Sequence, residues 1–217
     1  MKYKYVLFDL DGTVTDSSEG ITSSVAYALD KKGIPYADKH SLKHFIGPPL
    51  REQFMKCYNL SVDEGEEMVK LYREFYSVKG IFMISLYDGI EHLLMSLKKH
   101  GIIVVLATSK PEKYAKIILD HLSLSEYFDF IAGANMDNTR TSKAEVINYA
   151  LNSIGASECK TDIVMIGDHE ADVYGAAECG IDSIFVTYGF GNISSEDKFN
   201  PVVILNSAEE IEDYLLS

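Results

Sequence analysis

The chain has 217 residues and a formal net charge of −13, with 33 acidic residues against 20 lysines and arginines. This acidic balance disfavours binding to DNA, RNA or anionic membranes, because each of these requires a basic footprint. Hydrophobic residues make up 47% of the chain and charged residues 24%, which is typical of a globular protein. The length predicts one core domain with a modest insertion, and the expected partners are small molecules or proteins.

Location and oxidation state follow from two further features. The three cysteines, Cys57, Cys159 and Cys179, are odd in number and lack the paired spacing of a metal site, so all three are expected to be reduced thiols of the core. The apolar stretch near the start is too short for a signal-peptide core or a membrane span, and acidic residues interrupt it. We therefore expect a cytoplasmic protein.

Five apolar runs have the length and composition of buried strands. They occupy residues 5–10, 102–108, 128–133, 163–168 and 183–189. Helical patterns separate most of them. In the clearest, 88–101, Asp88 can cap the helix, apolar residues recur every three or four positions, and Gly101 can end it. Strands alternating with helices predict a doubly wound α/β fold, a Rossmann-like parallel sheet covered on both faces.

The segment 17–84 breaks this alternation, because it contains helical patterns and no convincing strand. Ile21, Val25 and Leu29 are spaced four apart, and a second apolar stripe runs through 68–76. The segment is expected to form a small all-helical domain inserted after the first strand. The predicted domains are a core, 1–16 with 85–217, and a cap, 17–84.

Polar residues stand where the predicted strands end, which is where open parallel sheets bind ligands. Asp9 and Asp11 follow the first strand. Thr108 and Ser109 follow the second, and Asp168 ends the fourth. Carboxylates brought together in this way repel one another unless a cation bridges them, and a hard divalent ion suits oxygen ligands. The pattern therefore predicts a divalent metal site.

The residues that follow Asp9 also suit anion binding. Gly12 and Thr13 leave backbone carbonyl and amide groups open for coordination. Taken alone, this stretch is more simply explained as a strand-to-helix loop with capping residues. Polar residues at three strand ends favour a ligand site instead. A helix-loop-helix calcium site is excluded, because Val14 stands where that loop requires glycine.

Four motifs, in order along the chain, resemble those of the haloacid dehalogenase superfamily of phosphohydrolases. The first, DxDG(T/V), reads DLDGT at 9–13, and the second, a Thr or Ser ending an apolar strand, is Thr108. The third, a lysine that opens a later helix, fits Lys143, and the fourth, GDxxxD, reads GDHEAD at 167–172. Ala144 follows the lysine where many relatives have proline. The surrounding segment resembles a phosphoglycolate phosphatase-like branch that includes predicted 5'-nucleotidases.

The resemblance implies roles for the acidic residues. Asp9 is implied to be the nucleophile that forms an aspartyl phosphate. Asp11 is implied to protonate the leaving alkoxide and then to activate water. Mg²⁺ would be held by Asp9, Asp168 and the Asp11 carbonyl. Asp172 would orient water or the motif lysine, although an acid near a helix amino end is also explained by the helix dipole.

The resemblance also implies how the phosphoryl group is held. Thr108 and the Ser109 backbone would bind its oxygens, with Gly12 and Thr13 beside them. Lys143 would neutralise the charge that spreads over these oxygens in the transition state. The substrate is expected to be a small-molecule phosphate ester.

The inserted domain matches the small helical cap of this branch, which is implied to close over the site. The segment 45–54 is expected to lie over the phosphate pocket, with Arg51 as a possible substrate contact. The alternative is that Gly47 and the following prolines only stop one helix and start another. His40 and His44 are spaced like a zinc pair, but no Cys or carboxylate partner accompanies them, so a metal role is disfavoured.

Four weaker features are interpreted as peripheral. Lys110 and Arg140 could add positive charge to the site, but each is expected to be a solvated surface charge. His169 is expected to be an exposed loop residue, and the YGFG stretch at 188–191 a flexible rim. These features carry no assigned role.

The function predicted is Mg²⁺-dependent hydrolysis of a phosphomonoester, with phosphoglycolate or a nucleoside 5'-monophosphate as the substrate class. A phosphosugar mutase remains an alternative, because it needs the same core and differs in its cap. A receiver-like phosphorelay domain uses similar acids, Thr and Lys, but it has no long insertion after its first strand. A non-catalytic phosphate-binding protein on the same fold is the third alternative.

Overall fold

The computed structural model describes residues 2–137, 139–194 and 198–217. The chain divides into two compact units, one built from Met1–Thr15 with Leu86–Ser217 and the other from Asp16–Ser85. The segment expected to form the inserted domain, 17–84, lies within the second unit.

A parallel sheet forms the centre of the first unit. Its strands are β1 (Tyr5–Phe8), β4 (Ile103–Pro111), β5 (Phe130–Ala134), β6 (Ile163–Gly167), β7 (Asp182–Val186) and β8 (Val203–Leu205). The strand order is β5-β4-β1-β6-β7-β8. Tyr5 pairs with Ile103 on one side and with Ile163 on the other, so β1 lies between β4 and β6. Because β1 and β6 are buried along their whole length, they read as continuous apolar runs.

The sheet departs from the predicted strands at one edge. The run predicted over 183–189 is a strand only as far as Val186. The sixth strand, β8, was not predicted, because it has three residues and Ile204 within it is half exposed. A strand this short and this exposed has no apolar run to reveal it.

Five helices accompany the sheet in the described part of the first unit. They are α4 (Ile90–Lys99), α5 (Glu112–His121), α6 (Lys143–Ser153), α7 (Glu170–Cys179) and α8 (Ala208–Leu216). Side chains from α6 and α7 pack with Tyr5 and Leu7 of β1 in one buried cluster. Val6 and Phe8 alternate with these residues and are also fully buried, so both faces of the strand are covered. The predicted doubly wound α/β fold is confirmed.

The beginning of α4 corrects one prediction. Asp88 was expected to cap this helix, but Gly89 occupies the capping position, with no side-chain cap hydrogen bond. Gly89 has a φ of 79°, a left-handed conformation that glycine adopts without steric cost. The left-handed turn therefore requires glycine at position 89, and this glycine takes the capping position in place of Asp88.

The second unit is helical, as expected. It contains α1 (Ser18–Lys32), α2 (Leu50–Tyr58) and α3 (Val62–Tyr76), with short 3₁₀ turns at His40–Phe45 and Gly80–Phe82. The predicted stripes form its core: Val25 and Leu29 of α1 are fully buried, as is Met68 of α3, and the two helices pack together. The chain enters and leaves this unit through two short strands that pair with each other, β2 (Thr15–Asp16) and β3 (Ser85–Leu86).

Candidate active site

Asp9 stands one residue beyond β1, at the centre of the sheet. Its backbone N–H donates to the Ile166 carbonyl over 2.9 Å, which extends the strand pairing by one residue. Its Oδ1 accepts a hydrogen bond from Lys143 Nζ over 2.7 Å. The side chain keeps an exposed fraction of 12%. Asp9 is thus held rigidly and remains accessible at the edge of the sheet.

Lys143 is the first residue of α6 and is almost completely buried. The helix begins there because Ser142 and Glu145 form a reciprocal capping box. Lys143 Nζ lies 2.7 Å from Asp172 Oδ1, in addition to Asp9, and donates to the Ala107 carbonyl over 3.1 Å. Burial lowers the pKa of Lys143, but the carboxylates of Asp172 and Asp9 outweigh burial and raise it above its ordinary value. The buried ammonium therefore stays charged.

Asp168 follows β6 and is also buried. Thr13 Oγ1 donates to its Oδ1 over 3.2 Å, and the backbone N–H of Phe190 donates to its Oδ2 over 2.7 Å. Burial, together with the charges of Asp172 and Asp9, raises the pKa of Asp168 to about 7. An ionised Asp168 at this position calls for a compensating cation.

Gly12 of the first motif lies so close to Asp168 that only glycine fits at this position. Gly12 has a φ of 90°, which favours glycine, and a Cβ at this position would overlap the Asp168 carboxylate. Any other residue would push the DLDGT turn away from Asp168. The glycine therefore brings the loops after β1 and β6 together.

Asp9, Asp168 and Asp172 each offer a carboxylate oxygen, and these oxygens all lie within 4.8 Å of one another. It is the only group of three or more potential metal ligands found in the described part of the chain. An all-oxygen set of buried carboxylates suits a hard divalent cation. The site could therefore hold a metal, with Lys143 already placed between Asp9 and Asp172.

Both interpretations of Asp172 find support in its contacts. Its Oδ2 accepts a hydrogen bond from the His169 backbone N–H over 3.0 Å, which caps the beginning of α7. Its Oδ1 faces Lys143 Nζ. Burial raises the pKa of Asp172, and the Lys143 ammonium opposes that shift. Asp172 thus holds both the helix end and the lysine.

Asp11 points to a different partner from the other acids. Its Oδ2 lies 2.8 Å from Lys110 Nζ, and the Lys110 side chain is only 6% exposed. The prediction that Lys110 is a solvated surface charge is therefore wrong. The prediction is also wrong for Arg140, whose guanidinium donates to the Gly133 carbonyl and to Glu112.

The residues expected to hold a phosphoryl group lie at the end of β4. Thr108 is buried, and its Oγ1 accepts a hydrogen bond from the Lys110 backbone N–H over 3.2 Å. Ser109 is exposed beside it. This part of β4 therefore adjoins the lysine that holds Asp11.

The YGFG stretch is not a loose rim. Phe190 and Gly191 donate their backbone N–H groups to Asp168, and Tyr188 donates its hydroxyl to the Thr13 carbonyl over 3.0 Å. A Cβ at Gly189 would overlap Asp168. The two glycines of the stretch were the available signal, because glycine often marks a close approach of the backbone. His169, expected to be an exposed loop residue, is half buried and caps α7.

The candidates of the second unit have contacts of their own. Arg51 lies 2.8 Å from both Glu66 and Glu52, so its charge is paired within that unit. Its role as a substrate contact stays a prediction. His44 was expected to have no Cys partner, yet its Nε2 lies 3.3 Å from Cys57 Sγ of α2. Cys57 is exposed, so the prediction that all three cysteines lie in the core is wrong for this residue.

The helices add one further finding. Within the described ranges, none has both the length and the apolar character required to cross a membrane.

Known proteins resemble the chain over most of its length. A family model described as haloacid dehalogenase-like hydrolase matches residues 6–186. A 5'-nucleotidase of Pseudomonas aeruginosa is 43% identical over 200 residues, which cover 91% of this chain and 87% of that protein. The tyrosine-protein kinase PtkA of Mycobacterium tuberculosis is 40% identical over 203 residues, covering 94% of this chain and 68% of the kinase.

A solved structure extends the similarity to three dimensions. The crystal structure of a predicted phosphatase from Clostridium acetobutylicum superposes with a TM-score of 0.92 at 45% identity, covering 100% of this chain and 99% of that one. The predicted enzyme class, a phosphoric monoester hydrolase, is confirmed by the family match and by these similarities. The chain belongs to the haloacid dehalogenase-like hydrolase family.

Proposed function

We propose that the protein is a Mg²⁺-dependent phosphatase that hydrolyses a small phosphomonoester through an aspartyl phosphate on Asp9. The observation that carries this proposal is the set of contacts around Asp9. A buried ammonium lies 2.7 Å from its carboxylate, and two further carboxylates lie within 4.8 Å. A nucleophilic carboxylate in this environment can receive a phosphoryl group whose charge is neutralised on arrival.

The residues that would hold Mg²⁺ are Asp9 and Asp168, together with the main-chain carbonyl of Asp11. When bound, the ion would keep Asp9 ionised and add positive charge beside the phosphoryl oxygens. The raised pKa of Asp168 supports this assignment, because burial and neighbouring acids disfavour its charge when no cation is near.

In the first step, an Asp9 carboxylate oxygen attacks phosphorus and the ester P–O bond breaks. Asp11 gives a proton to the departing alkoxide, which leaves as an alcohol. Lys143 neutralises negative charge as it spreads over the phosphoryl oxygens, and the Thr108 hydroxyl and the Ser109 backbone N–H bind them. The product is an acyl phosphate on Asp9.

The second step regenerates Asp9. Asp11, now ionised, takes a proton from water, and the resulting hydroxide attacks phosphorus. The bond between phosphorus and the Asp9 oxygen breaks, so inorganic phosphate leaves and the carboxylate is restored. Asp172 keeps Lys143 in place through both steps, because the two groups lie 2.7 Å apart.

We infer a nucleoside 5'-monophosphate or phosphoglycolate as the substrate class. The similarity to the 5'-nucleotidase of Pseudomonas aeruginosa supports the first of these. The cytoplasmic location and a substrate contact by Arg51 stay predictions. So does the phosphosugar mutase alternative, which needs the same acid pair. The receiver-like alternative is disfavoured by the long helical insertion after β1.

The experiment is a phosphate-release assay on a panel of phosphomonoesters with purified protein. The panel contains phosphoglycolate, nucleoside 5'-monophosphates, hexose phosphates and p-nitrophenyl phosphate, each with Mg²⁺ and with a chelator. We expect turnover that requires Mg²⁺ and is lost in Asp9→Asn. Isomerisation of a hexose phosphate without phosphate release would identify a mutase, and binding without turnover would favour the non-catalytic alternative.

A second candidate function is phosphoryl transfer to a tyrosine hydroxyl. The observation that favours it is the 40% identity to the tyrosine-protein kinase PtkA over 94% of this chain. In that reaction a tyrosine of a second protein would accept the phosphoryl group in place of water. Incubation with ATP and a tyrosine-containing polypeptide, followed by detection of phosphotyrosine, distinguishes this activity from hydrolysis.

A further inference from the structure

The pairing between β4 and β5 is interrupted just beyond the site. Thr108 pairs with Gly133, and the next pair is Pro111 with Ala134. Ser109 and Lys110 therefore have no counterpart on β5 and form a bulge at the carboxyl end of β4. A bulge breaks the alternation of side chains between the two faces, and can thus aim a side chain that a regular strand would send elsewhere.

This bulge is supported by its neighbours and is not a loose end. A Cβ at Gly133 would lie 2.7 Å from the Lys110 carbonyl oxygen, so the bulge packs directly on the glycine. Arg140 donates to the Gly133 carbonyl over 2.8 Å and to Glu112 over 3.0 Å. Arg140 thus ties β5 beside the bulge to Glu112, which follows the bulge in the chain.

The supported bulge delivers the Lys110 ammonium to one oxygen of Asp11. Lys110 Nζ lies 2.8 Å from Oδ2, and the lysine side chain is 6% exposed. The second oxygen, Oδ1, is buried and accepts no hydrogen bond from any described residue. The two oxygens of Asp11 therefore differ: Oδ2 is held by a cation, and Oδ1 has no hydrogen-bond partner among the described residues.

We propose that Lys110 is a positioning residue for Asp11. It fixes the carboxylate through Oδ2, so that Oδ1 is the oxygen that exchanges the proton. This inference rests on the proposed function, in which Asp11 protonates the leaving alkoxide. The proton on Oδ1 passes to the alkoxide oxygen as the ester P–O bond breaks, and Oδ1 later takes a proton from the attacking water.

The role has a consequence that depends on the substrate. An alkyl phosphate releases a strongly basic alkoxide, which needs the proton, whereas p-nitrophenyl phosphate releases a stabilised phenolate, which needs it much less. The parameter kcat/KM reports the steps up to departure of the alcohol. Misplacing Asp11 should therefore lower kcat/KM for an alkyl phosphate much more than for p-nitrophenyl phosphate.

The experiment compares these two substrates in the Mg²⁺-loaded full chain, with the best alkyl phosphate from the panel. Lys110→Met should lower kcat/KM for the alkyl phosphate by about 10- to 100-fold, and for p-nitrophenyl phosphate by less than about 5-fold. Lys110→Arg should recover most of the loss, because it keeps the charge. Lys113→Met, which removes an exposed lysine three residues further on, should leave both values unchanged.

Equal losses on the two substrates, or no loss on either, would overturn the role of Lys110. If Lys110→Met is partly unfolded, both kcat/KM values fall together, so the ratio between substrates within that variant still decides. The proposed function fails separately, when the wild type hydrolyses neither substrate or when Asp9→Asn remains active. Active wild type, inactive Asp9→Asn and an unchanged ratio in Lys110→Met would leave the phosphatase standing and remove only this inference.

Discussion

Two groups of opposite charges stand at the same edge of the sheet and differ in how completely they are enclosed. The inner cluster consists of Asp9, Lys143, Asp168 and Asp172, and the β4 pair consists of Asp11 and Lys110. In the inner cluster the ammonium reaches two carboxylates and a backbone carbonyl, all buried. In the β4 pair one carboxylate oxygen, Oδ1 of Asp11, has neither a hydrogen bond nor an ion-pair contact within the described part of the chain, whereas each acid of the inner cluster that Lys143 reaches has its Oδ1 next to the ammonium. A closed network fixes geometry and charge, whereas an open one keeps the capacity to exchange a proton.

The largest expected effect comes from the nucleophile of the inner cluster. Asp9→Asn should lower phosphate release by about 1,000-fold or more, because an amide cannot form the acyl phosphate. Release is measured with Mg²⁺ present, and Asp63→Asn serves as the control because Asp63 is an exposed acid of α3. Retained turnover in Asp9→Asn would mean that another group attacks.

Removing the charge of Lys143 and removing that of Lys110 should destabilise the protein by different amounts, because the partners of the two lysines are buried to different extents. Lys143→Met leaves Asp9 and Asp172 facing each other without a cation, and should lower the free energy of unfolding by about 3–5 kcal/mol. Lys110→Met should lower it less, because its partner Asp11 is 15% exposed, whereas Asp172 beside Lys143 is only 2% exposed. Urea denaturation in chelator measures both variants. Equal losses would show that the two groups do not differ in enclosure.

Asp168 makes the inner cluster sensitive to pH. Its pKa is raised from 3.8 to about 7, so the folded state resists ionisation of this acid. Its contribution is therefore neutral below the ordinary pKa and becomes increasingly unfavourable as pH rises towards about 7. In chelator, the melting temperature of the wild type should fall over this range more steeply than that of Asp168→Asn.

Calorimetry across the pH range measures this difference, and Mg²⁺ provides the control. Added Mg²⁺ should raise the melting temperature of the wild type at the alkaline end of the range, and should raise that of Asp168→Asn less. Parallel pH curves for the two proteins would contradict the assignment of the destabilising charge to Asp168.

The smallest expected effect is the difference between Gly12→Ala and Gly155→Ala, which measures the cost of the close approach of residue 12 to Asp168. Gly12→Ala and Gly155→Ala both place alanine at a positive φ, 90° and 69°, and so share a backbone strain of about 1–2 kcal/mol. Only the Cβ at position 12 also overlaps Asp168, since nothing lies within 4 Å at position 155. Gly12→Ala should therefore be less stable and less active, as measured by denaturation and phosphate release. Equal behaviour would mean that the overlap relaxes freely.

The acids of the site could be predicted from the sequence because they follow apolar runs directly. Asp9 and Asp168 each end such a run, and parallel strands place their carboxyl ends at one edge. The order of the strands in the sheet could not be read from the sequence as directly. The central place of β1 agrees with the prediction that the residue following it, Asp9, is the nucleophile. The helical insertion was equally visible, since its apolar positions repeat every three to four residues.

Lys110 could not be predicted, and the 188–191 stretch offered only its two glycines as a signal, because both roles depend on how the backbone bends after a strand ends. Pro111 indicates an irregularity in β4, because proline cannot donate to the ladder, but the sequence does not specify that Ser109 and Lys110 are the residues that leave it opposite Gly133. The contact of Phe190 with Asp168 is made by a backbone N–H, which every residue except proline offers. The Asp88 cap was wrong because a left-handed turn at Gly89 took its place.

The central position of β1 ties catalysis to folding fidelity. Asp9 lies one strand away from Lys110 on β4 and one strand away from Asp168 after β6. A slip of one residue in either pairing would shift the partner by about 3.3 Å and turn its side chains to the opposite face. A misfolded chain with wrongly aligned strands would thus have no assembled site, and turnover itself reports that the sheet has been correctly built.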